Sequence, residues 1–168
     1  MHPQQRGDRR TARDWTASAF VAAMLAADAG AHGNLARQAW DGWRPVTPAQ
    51  LFGLEALAAA AAGLAVLVSN RRVIWAAASL VALGSLAAVL VTRYVNIPAI
   101  GPIPSMYEPV WYGKKTWSAI AEGLGGIVAL MQLVALGRRA AAADRRHRDR
   151  RRILRTRAQK PLASSRQR

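Results

Sequence analysis

The sequence predicts an all-α fold: a polytopic membrane protein with a four-helix transmembrane bundle, a proline- and aromatic-rich outer loop and a basic cytoplasmic tail. Two observations predict this class. The chain of 168 residues is 52% hydrophobic and 20% charged, and its apolar residues lie in four runs long enough to be spans, each of roughly 20 residues. Its arginines gather at the two ends and in one short hinge. A soluble bundle would interleave the two kinds of residue along each helix.

Three of the apolar runs are clear spans, at about 49–68, 73–91 and 117–136. At about 1.5 Å per residue, each can cross a hydrocarbon core of about 30 Å. The first two are separated only by "SNRR", 69–72. Because so short a hinge can join only antiparallel neighbours, we expect these two helices to form a hairpin.

The run at about 15–36, "WTASAFVAAMLAADAGAHGNLA", is the fourth predicted span. It is rich in alanine and contains Asp28 and His32, which lower its hydrophobicity. A cleaved signal peptide is one alternative, because arginines, an apolar run and small residues occur in that order. An interfacial helix is the other alternative.

Basic residues predict the orientation and the division of the chain. The N-terminal arm (1–14), the hinge and the tail (138–168) carry 19 of the 24 Lys and Arg residues. Because Lys and Arg near span ends are retained in the cytoplasm, both termini and the hinge should lie inside. We therefore expect a basic arm, a transmembrane domain at 15–137 and a basic tail that is mobile or a surface helix, in a multi-pass protein of the cell membrane.

The tail indicates a partner. Its arginines begin directly after the last span, so they should attract anionic lipid headgroups, by about 1 kcal/mol for each side chain near the surface. Nucleic acid is the alternative partner, but the tail has no feature for base readout or stacking. We therefore expect the bilayer and its headgroups, and not nucleic acid, to bind the tail.

Small residues mark surfaces where helices can approach closely. Gly123, Gly125 and Gly126 lie in the last predicted span, and Gly53 and Gly63 in the second. Such spacing permits close helix contacts within one bundle, with a second copy or with another membrane protein.

The second outer loop, 93–117, contains four prolines and five aromatic residues. Proline removes backbone donors, so the loop should be extended and rich in turns. Aromatic rings favour the headgroup layer, which indicates an aromatic belt. The alternative is a lid over the bundle formed by Tyr107, Glu108 and Trp111, with Tyr107 and Glu108 facing a pocket.

Acidic residues inside the spans give the candidate site. Glu55 and Glu122 lie about 8 to 9 Å below the outer ends of their helices, counting about 1.5 Å per residue. Asp28 can reach the same depth, with His32 one turn above it on the same face. An ionised acid inside a bilayer is costly, so such residues usually face the protein interior and are paired or protonated.

Two interpretations of these residues remain open. Asp28, His32, Glu55 and Glu122 can form a proton, cation or polar-ligand site, in which carboxylates supply hard oxygen ligands and the imidazole a titratable one. Alternatively, each acid caps or pairs locally, with Arg44, Lys114 or Lys115 bending in. The sequence leaves the identity of any metal or cofactor open.

The stretch "NIPAIGPIPSMYEPVWYGKKTWSAIAEG", Asn96 to Gly123, resembles small four-span integral membrane proteins of actinobacteria. In these proteins a proline-rich MYEP loop leads into a last helix with an alanine–glutamate pair. The general layout is also similar to that of DoxX-like proteins. These resemblances imply a fold and a lineage, and they carry over no catalytic residue.

Composition and motifs favour a non-enzymatic protein. The chain has no cysteine, which excludes disulfides and thiolate metal sites. It also lacks a serine–histidine–acid arrangement, a phosphate loop and a metal-hydrolase spacing. The first hypothesis is an accessory or scaffold subunit of a larger membrane assembly, for example a respiratory one. The second is a small-molecule, proton or metal-ion binding or transport site, formed by carboxylates in the outer third of the bundle.

Overall fold

Four helices make up the fold of this chain, in a computed structural model that describes residues 10–39 and 45–159, with side chains as far as 156. They are α1 (Ala12–Gln38), α2 (Pro48–Val68), α3 (Arg72–Tyr94) and α4 (Gly113–Gln159). Within the described ranges there is no named strand, and one isolated bridge joins Ile100 and Ile103. The all-α prediction is confirmed. The arm before Arg10, Arg44 and the tail after Gln159 lie outside the described residues.

Local sequence explains where the first two helices begin. The Thr11 hydroxyl accepts a hydrogen bond from the Asp14 N–H, and the Asp14 carboxylate accepts one from the Thr11 N–H. Thr47 and Gln50 repeat this capping box at the start of α2, where Pro48 is the first helical residue. Both motifs satisfy donors that the first helical turn leaves unpaired.

Three helices, α2, α3 and α4, are long and apolar enough to cross a membrane. The three runs predicted as clear spans are therefore confirmed as helices of the length and composition that a span needs. The fourth prediction is confirmed only as a helix, because α1 has 27 residues but is not among the helices that qualify within the described chain. Asp14, Asp28, His32 and many alanines and glycines lower its hydropathy.

Contacts between helices show antiparallel neighbours. A Cβ added at Gly33 would lie 3.8 Å from Ala56 Cβ, and one at Gly63 would lie 3.4 Å from Leu25 Cβ, so α1 and α2 run in opposite directions. The first part of α4 packs on both α1 and α3. Adding a Cβ at Gly126 would place it 2.6 Å from Leu83 Cδ2, so glycine permits this close approach.

The packed helices have two ends, which we call the hinge end and the loop end. The hinge end holds the hinge between α2 and α3, and the loop end holds the loop between α3 and α4. Fully buried apolar residues fill the middle and the hinge end: Val21, Leu25, Ala59, Val66, Trp75, Ala78, Ala82 and Ala129. Trp75 Nε1 donates to Asn70 Oδ1 at 2.8 Å, so the buried indole N–H is satisfied.

The residues from Val134 onward form a second unit. As far as Gln159 it is a continuation of α4, so the last helix runs beyond the end of the span predicted at 136. Alanine and arginine are good helix formers, and Arg148 pairs with Asp144 one turn earlier, at 2.8 Å between Nη2 and Oδ2. The side chains described after Arg138 are exposed.

Candidate functional site

A buried polar cluster lies in the loop-end half of the first unit. Five side chains from α1, α3 and α4 form it, and all are buried: Asp28, His32, Ser85, Ser118 and Glu122. Asp28 has 0% of its surface exposed and Glu122 has 1%. Two carboxylates inside a largely apolar protein need partners, because burying a charge without them is costly.

Helix α1 positions the aspartate and the histidine one turn apart on the same face. His32 Nδ1 lies 2.8 Å from Asp28 Oδ1 and 3.3 Å from the main-chain oxygen of Asp28. Both neighbours are acceptors, so Nδ1 carries the hydrogen and donates it. In the other neutral tautomer the hydrogen is on Nε2, and the Nδ1 lone pair then faces the Asp28 carboxylate, where a cation between the two groups could bind.

Helices α3 and α4 complete the cluster around the glutamate. The Ser118 hydroxyl lies 2.7 Å from Glu122 Oε1 and 3.0 Å from Asp28 Oδ1, so it joins the two acids. From α3, the Ser85 hydroxyl donates to Glu122 Oε1 at 3.1 Å. One serine on each side therefore holds the glutamate carboxylate in place.

The two acids, Asp28 and Glu122, have fewer hydrogen-bond donors around them than their four carboxylate oxygens could use. A hydroxyl has one hydrogen, so Ser118 can donate to Asp28 or to Glu122 but not to both at once. Asp28 Oδ2 and Glu122 Oε2 are buried, with no hydrogen-bond partner among the described residues. A proton on one carboxylate, or a cation between the two, would satisfy both oxygens.

The lysines that could have paired with these acids are held elsewhere. Lys114 Nζ donates to Asn34 Oδ1 at 2.6 Å, and Lys115 Nζ donates to the main-chain oxygen of Glu108 at 2.6 Å. The alternative in which these two lysines bend in toward the acids therefore has no support from the geometry. Arg44 lies outside the described residues.

Three of the four candidate residues can share one ion. Asp28, His32 and Glu122 each offer a ligand atom, and these atoms lie within 4.8 Å of one another. Two ligands of one ion at about 2.1 Å can be at most about 4.2 Å apart. Small side-chain rotations would bring the three into coordination range.

The fourth candidate, Glu55, stands beside this group. It is half-buried on α2 and lines a cavity of about 290 Å³ together with His32 and Ser85. Its Oε1 is buried and lacks a hydrogen-bond partner in the described part of the chain. Glu55 thus lies beside His32 and Ser85, but it is not one of the three clustered residues.

The candidate lid residues lie next to this cavity. Tyr107 and Glu108 line a neighbouring cavity of about 310 Å³, over the loop ends of α1 and α2. Trp111 lies against Lys115, whose ammonium is 5.8 Å from the ring centroid. Met106, which was not predicted, lines both cavities.

The loop between α3 and α4 is attached to the end of α3, and its Glu108 affects a neighbouring tyrosine. The Glu108 N–H donates to the Thr92 main-chain oxygen at 2.9 Å, which fixes the loop to the end of α3. Burial and the nearby Glu108 raise the pKa of the Tyr112 phenol. Tyr112 therefore remains a neutral hydroxyl at ordinary pH.

Sequence reasoning missed the two serines of the cluster. Ser118 lies four residues before Glu122, which is the spacing of helix neighbours and was a usable signal. Ser85 is an isolated hydroxyl in an apolar helix. Since such hydroxyls often bond to their own backbone, it carried no signal of its own.

No protein-family model, curated protein or solved structure matches this chain. The resemblance to actinobacterial four-span proteins and the similarity to the DoxX-like layout stay predictions.

Proposed function

We propose that this chain is a four-span membrane protein that binds a divalent metal ion at Asp28, His32 and Glu122. One observation carries the proposal: Asp28 Oδ2 and Glu122 Oε2 are both buried, with no hydrogen-bond partner among the described residues. A cation between them would satisfy both oxygens. His32 supplies the nitrogen ligand from the same pocket.

The distribution of side chains on α1 supports its place as the fourth span. Its polar residues Asp14, Ser18, Asp28 and His32 are buried, whereas Trp15 and Phe20 are exposed. A helix with its polar residues inside and its apolar residues outside suits a lipid environment. These four polar residues, which lower the hydropathy of α1, would therefore not touch lipid.

The orientation follows from charge. The sequence segments 1–14, 69–72 and 138–168 carry 19 of the 24 Lys and Arg residues, which favours a cytoplasmic hinge end with both termini inside. The loop end then faces out, and the cluster lies in the outer third. The arginines of the tail face a leaflet of anionic lipid, which is the partner that we propose for them.

Ligand chemistry selects the class of ion. Two carboxylates and one imidazole form a mixed oxygen and nitrogen set, which suits Zn²⁺, Mn²⁺ or Fe²⁺ better than Mg²⁺. Two negative charges and one divalent ion leave the pocket neutral.

Equilibrium binding of Zn²⁺ and Mn²⁺ to the chelator-treated chain in detergent tests the proposal. We expect one ion per chain, and we expect Glu122→Gln or Asp28→Asn to weaken binding by at least tenfold. Asp14→Asn is the matched control, because Asp14 is also a buried acid on α1 but receives a hydrogen bond from Gln132 Nε2 at 2.6 Å. Failure of the wild type to bind, or an equal loss in the control, contradicts the proposal.

The accessory-subunit hypothesis makes a different prediction. A scaffold requires contact surfaces but no metal, so it should co-purify from native membranes with a stoichiometric partner. A monodisperse chain that binds one ion alone favours the metal site. The two outcomes separate the hypotheses without any assumption about activity.

A further inference from the structure

The cavity beside the cluster has a composition suited to a hydrated ion. It has a volume of about 290 Å³, which is room for several waters at about 30 Å³ each. Glu55, His32 and Ser85 give it polar walls, and Phe52 and Met106 give it apolar ones. Its single carboxylate is that of Glu55, among the residues that line it.

This cavity ends where the proposed metal site begins. Two of its wall residues bond directly to the proposed ligands: His32 Nδ1 to Asp28 Oδ1 at 2.8 Å, and Ser85 Oγ to Glu122 Oε1 at 3.1 Å. An ion in the cavity would therefore need to pass only one layer of side chains to reach the triad.

On the hinge side of the cluster lies a tightly packed, mainly apolar layer, and the buried polar residues Asp14, Ser18 and Gln132 lie beyond it. Val21 and Ala129 are 0% exposed and Leu25 is 1% exposed. A Cβ added at Gly125 would lie 2.9 Å from Met24 Cβ, so the backbones are close there. A divalent ion crossing this layer would exchange its water for apolar side chains and the single hydroxyl of Ser79, with none of the carboxylates of the cluster, which is costly.

We propose that the metal ion reaches the triad from the outer face through this cavity, and that Glu55 is its first protein ligand on the way. This inference rests on the proposed metal site. Glu55 Oε1 is buried and has no hydrogen-bond partner within the described chain. A negative charge in a low-dielectric cavity concentrates cations and speeds their association. Met106, on the loop above, covers the outer side of the cavity.

Binding kinetics test the role of Glu55. Zn²⁺ association with the chain is followed by stopped flow, with a fluorescent chelator as competitor. Glu55→Gln should slow association by at least tenfold and still leave one ion per chain at saturation. Asp14→Asn is the control, because it removes a buried carboxylate that lines neither this cavity nor its neighbour, and it should change the rate by less than twofold.

The possible outcomes separate the two proposals. If the wild type binds no ion, the metal site itself is wrong and the access route with it. If the wild type binds one ion and Glu55→Gln associates at the wild-type rate, the metal site stands and the role of Glu55 is overturned.

The absence of cysteine from the chain allows a direct test of the route. Ala88→Cys introduces a thiol on the cavity wall, and Ser79→Cys introduces one two to three turns nearer the hinge end, in a buried position of the same helix. A membrane-impermeant maleimide added outside should label the first variant and leave the second unmodified. Met106→Trp should slow labelling of Ala88→Cys. Labelling of Ala88→Cys from the cytoplasmic side alone, or equal labelling of both variants, would overturn the outer route.

Discussion

Ser118 joins the two buried acids, and its position shows how single residues set the properties of the site. Its hydroxyl lies within 3.0 Å of Asp28 Oδ1 and 2.7 Å of Glu122 Oε1. Because it has one hydrogen for two acceptors, it positions the acids without neutralising them. This leaves the charge of the pair available for a cation.

Ser118→Ala should destabilise the fold by about 1–3 kcal/mol, because it leaves buried acceptors without a donor. Thermal unfolding in detergent, with metal removed, measures the loss. Thr116→Ala is the control: the Thr116 hydroxyl is exposed and bonds only to the Tyr112 main-chain oxygen in the described contacts. We expect the control to change stability by less than about 0.5 kcal/mol. Equal effects would mean that Ser118 does not support the acids.

For single residues, the sequence predicts the position of each acidic side chain along its helix but not the side of the helix from which it points. The four-residue spacing of Asp28 and His32 put them on one face, and counting along the helices put Glu122 at their level. Rotation of each helix about its axis could not be read from one chain, because α2 and α4 have apolar residues on nearly every side. For that reason the sequence places Glu55 in one candidate site with Asp28, His32 and Glu122. In the structure it lines the cavity beside those three residues.

Close helix contact sets the arrangement at the scale of elements. Neighbouring helices run antiparallel, and glycines in α4 let it approach α1 and α3. This approach brings Glu122 and Ser118 to Asp28. The shape of the site therefore depends on Gly125 and Gly126 of α4, because a larger residue at either position would force its neighbours on the adjacent helices to shift.

Gly126→Ala should destabilise the bundle by about 1–3 kcal/mol, because the new Cβ would lie 2.6 Å from Leu83 Cδ2 and force a shift. Gly30→Ala is the matched control, since nothing lies within 4 Å of a Cβ there in the described structure. It should be neutral or stabilise the helix by up to about 1 kcal/mol. Unfolding midpoints of the two variants give the comparison, and a Gly126→Ala variant as stable as Gly30→Ala would refute the close packing.

Prediction of the elements succeeded where hydrophobicity or turn chemistry decides and was incomplete elsewhere. The hinge and the starts of α1 and α2 follow from short polar motifs that local sequence specifies. The high charge of the tail is compatible with a mobile segment or a surface helix, and the structure has helix as far as Gln159, since alanine and arginine both favour it.

The whole molecule divides into a packed unit up to Leu133 and the helical unit that follows. Truncation after Ala143 should leave the unfolding midpoint and membrane insertion of the first unit unchanged, because the described side chains beyond that point are exposed. The far-UV circular dichroism signal should fall by the contribution of the removed helix. Loss of the truncated chain from the membrane would assign the tail a structural role.

Topology is the second test at this scale. A reporter that is active only outside the cytoplasm should be silent when fused after Arg168 and active when inserted near Ser105. The reason is that 19 of the 24 basic residues lie in the regions expected inside. The reverse pattern would invert the orientation, and removal of the first 30 or so residues in the mature protein would identify that segment as a signal peptide.

An anomalous difference map from crystals of the Zn²⁺-loaded chain tests the central claim most directly. We expect one buried zinc peak about 2.0–2.2 Å from an oxygen of Asp28, an oxygen of Glu122 and a nitrogen of His32. Crystals of Glu122→Gln, grown and loaded in the same way, should lack that peak. A map in which the folded wild type shows zinc only at surface residues, or shows none, would contradict the account.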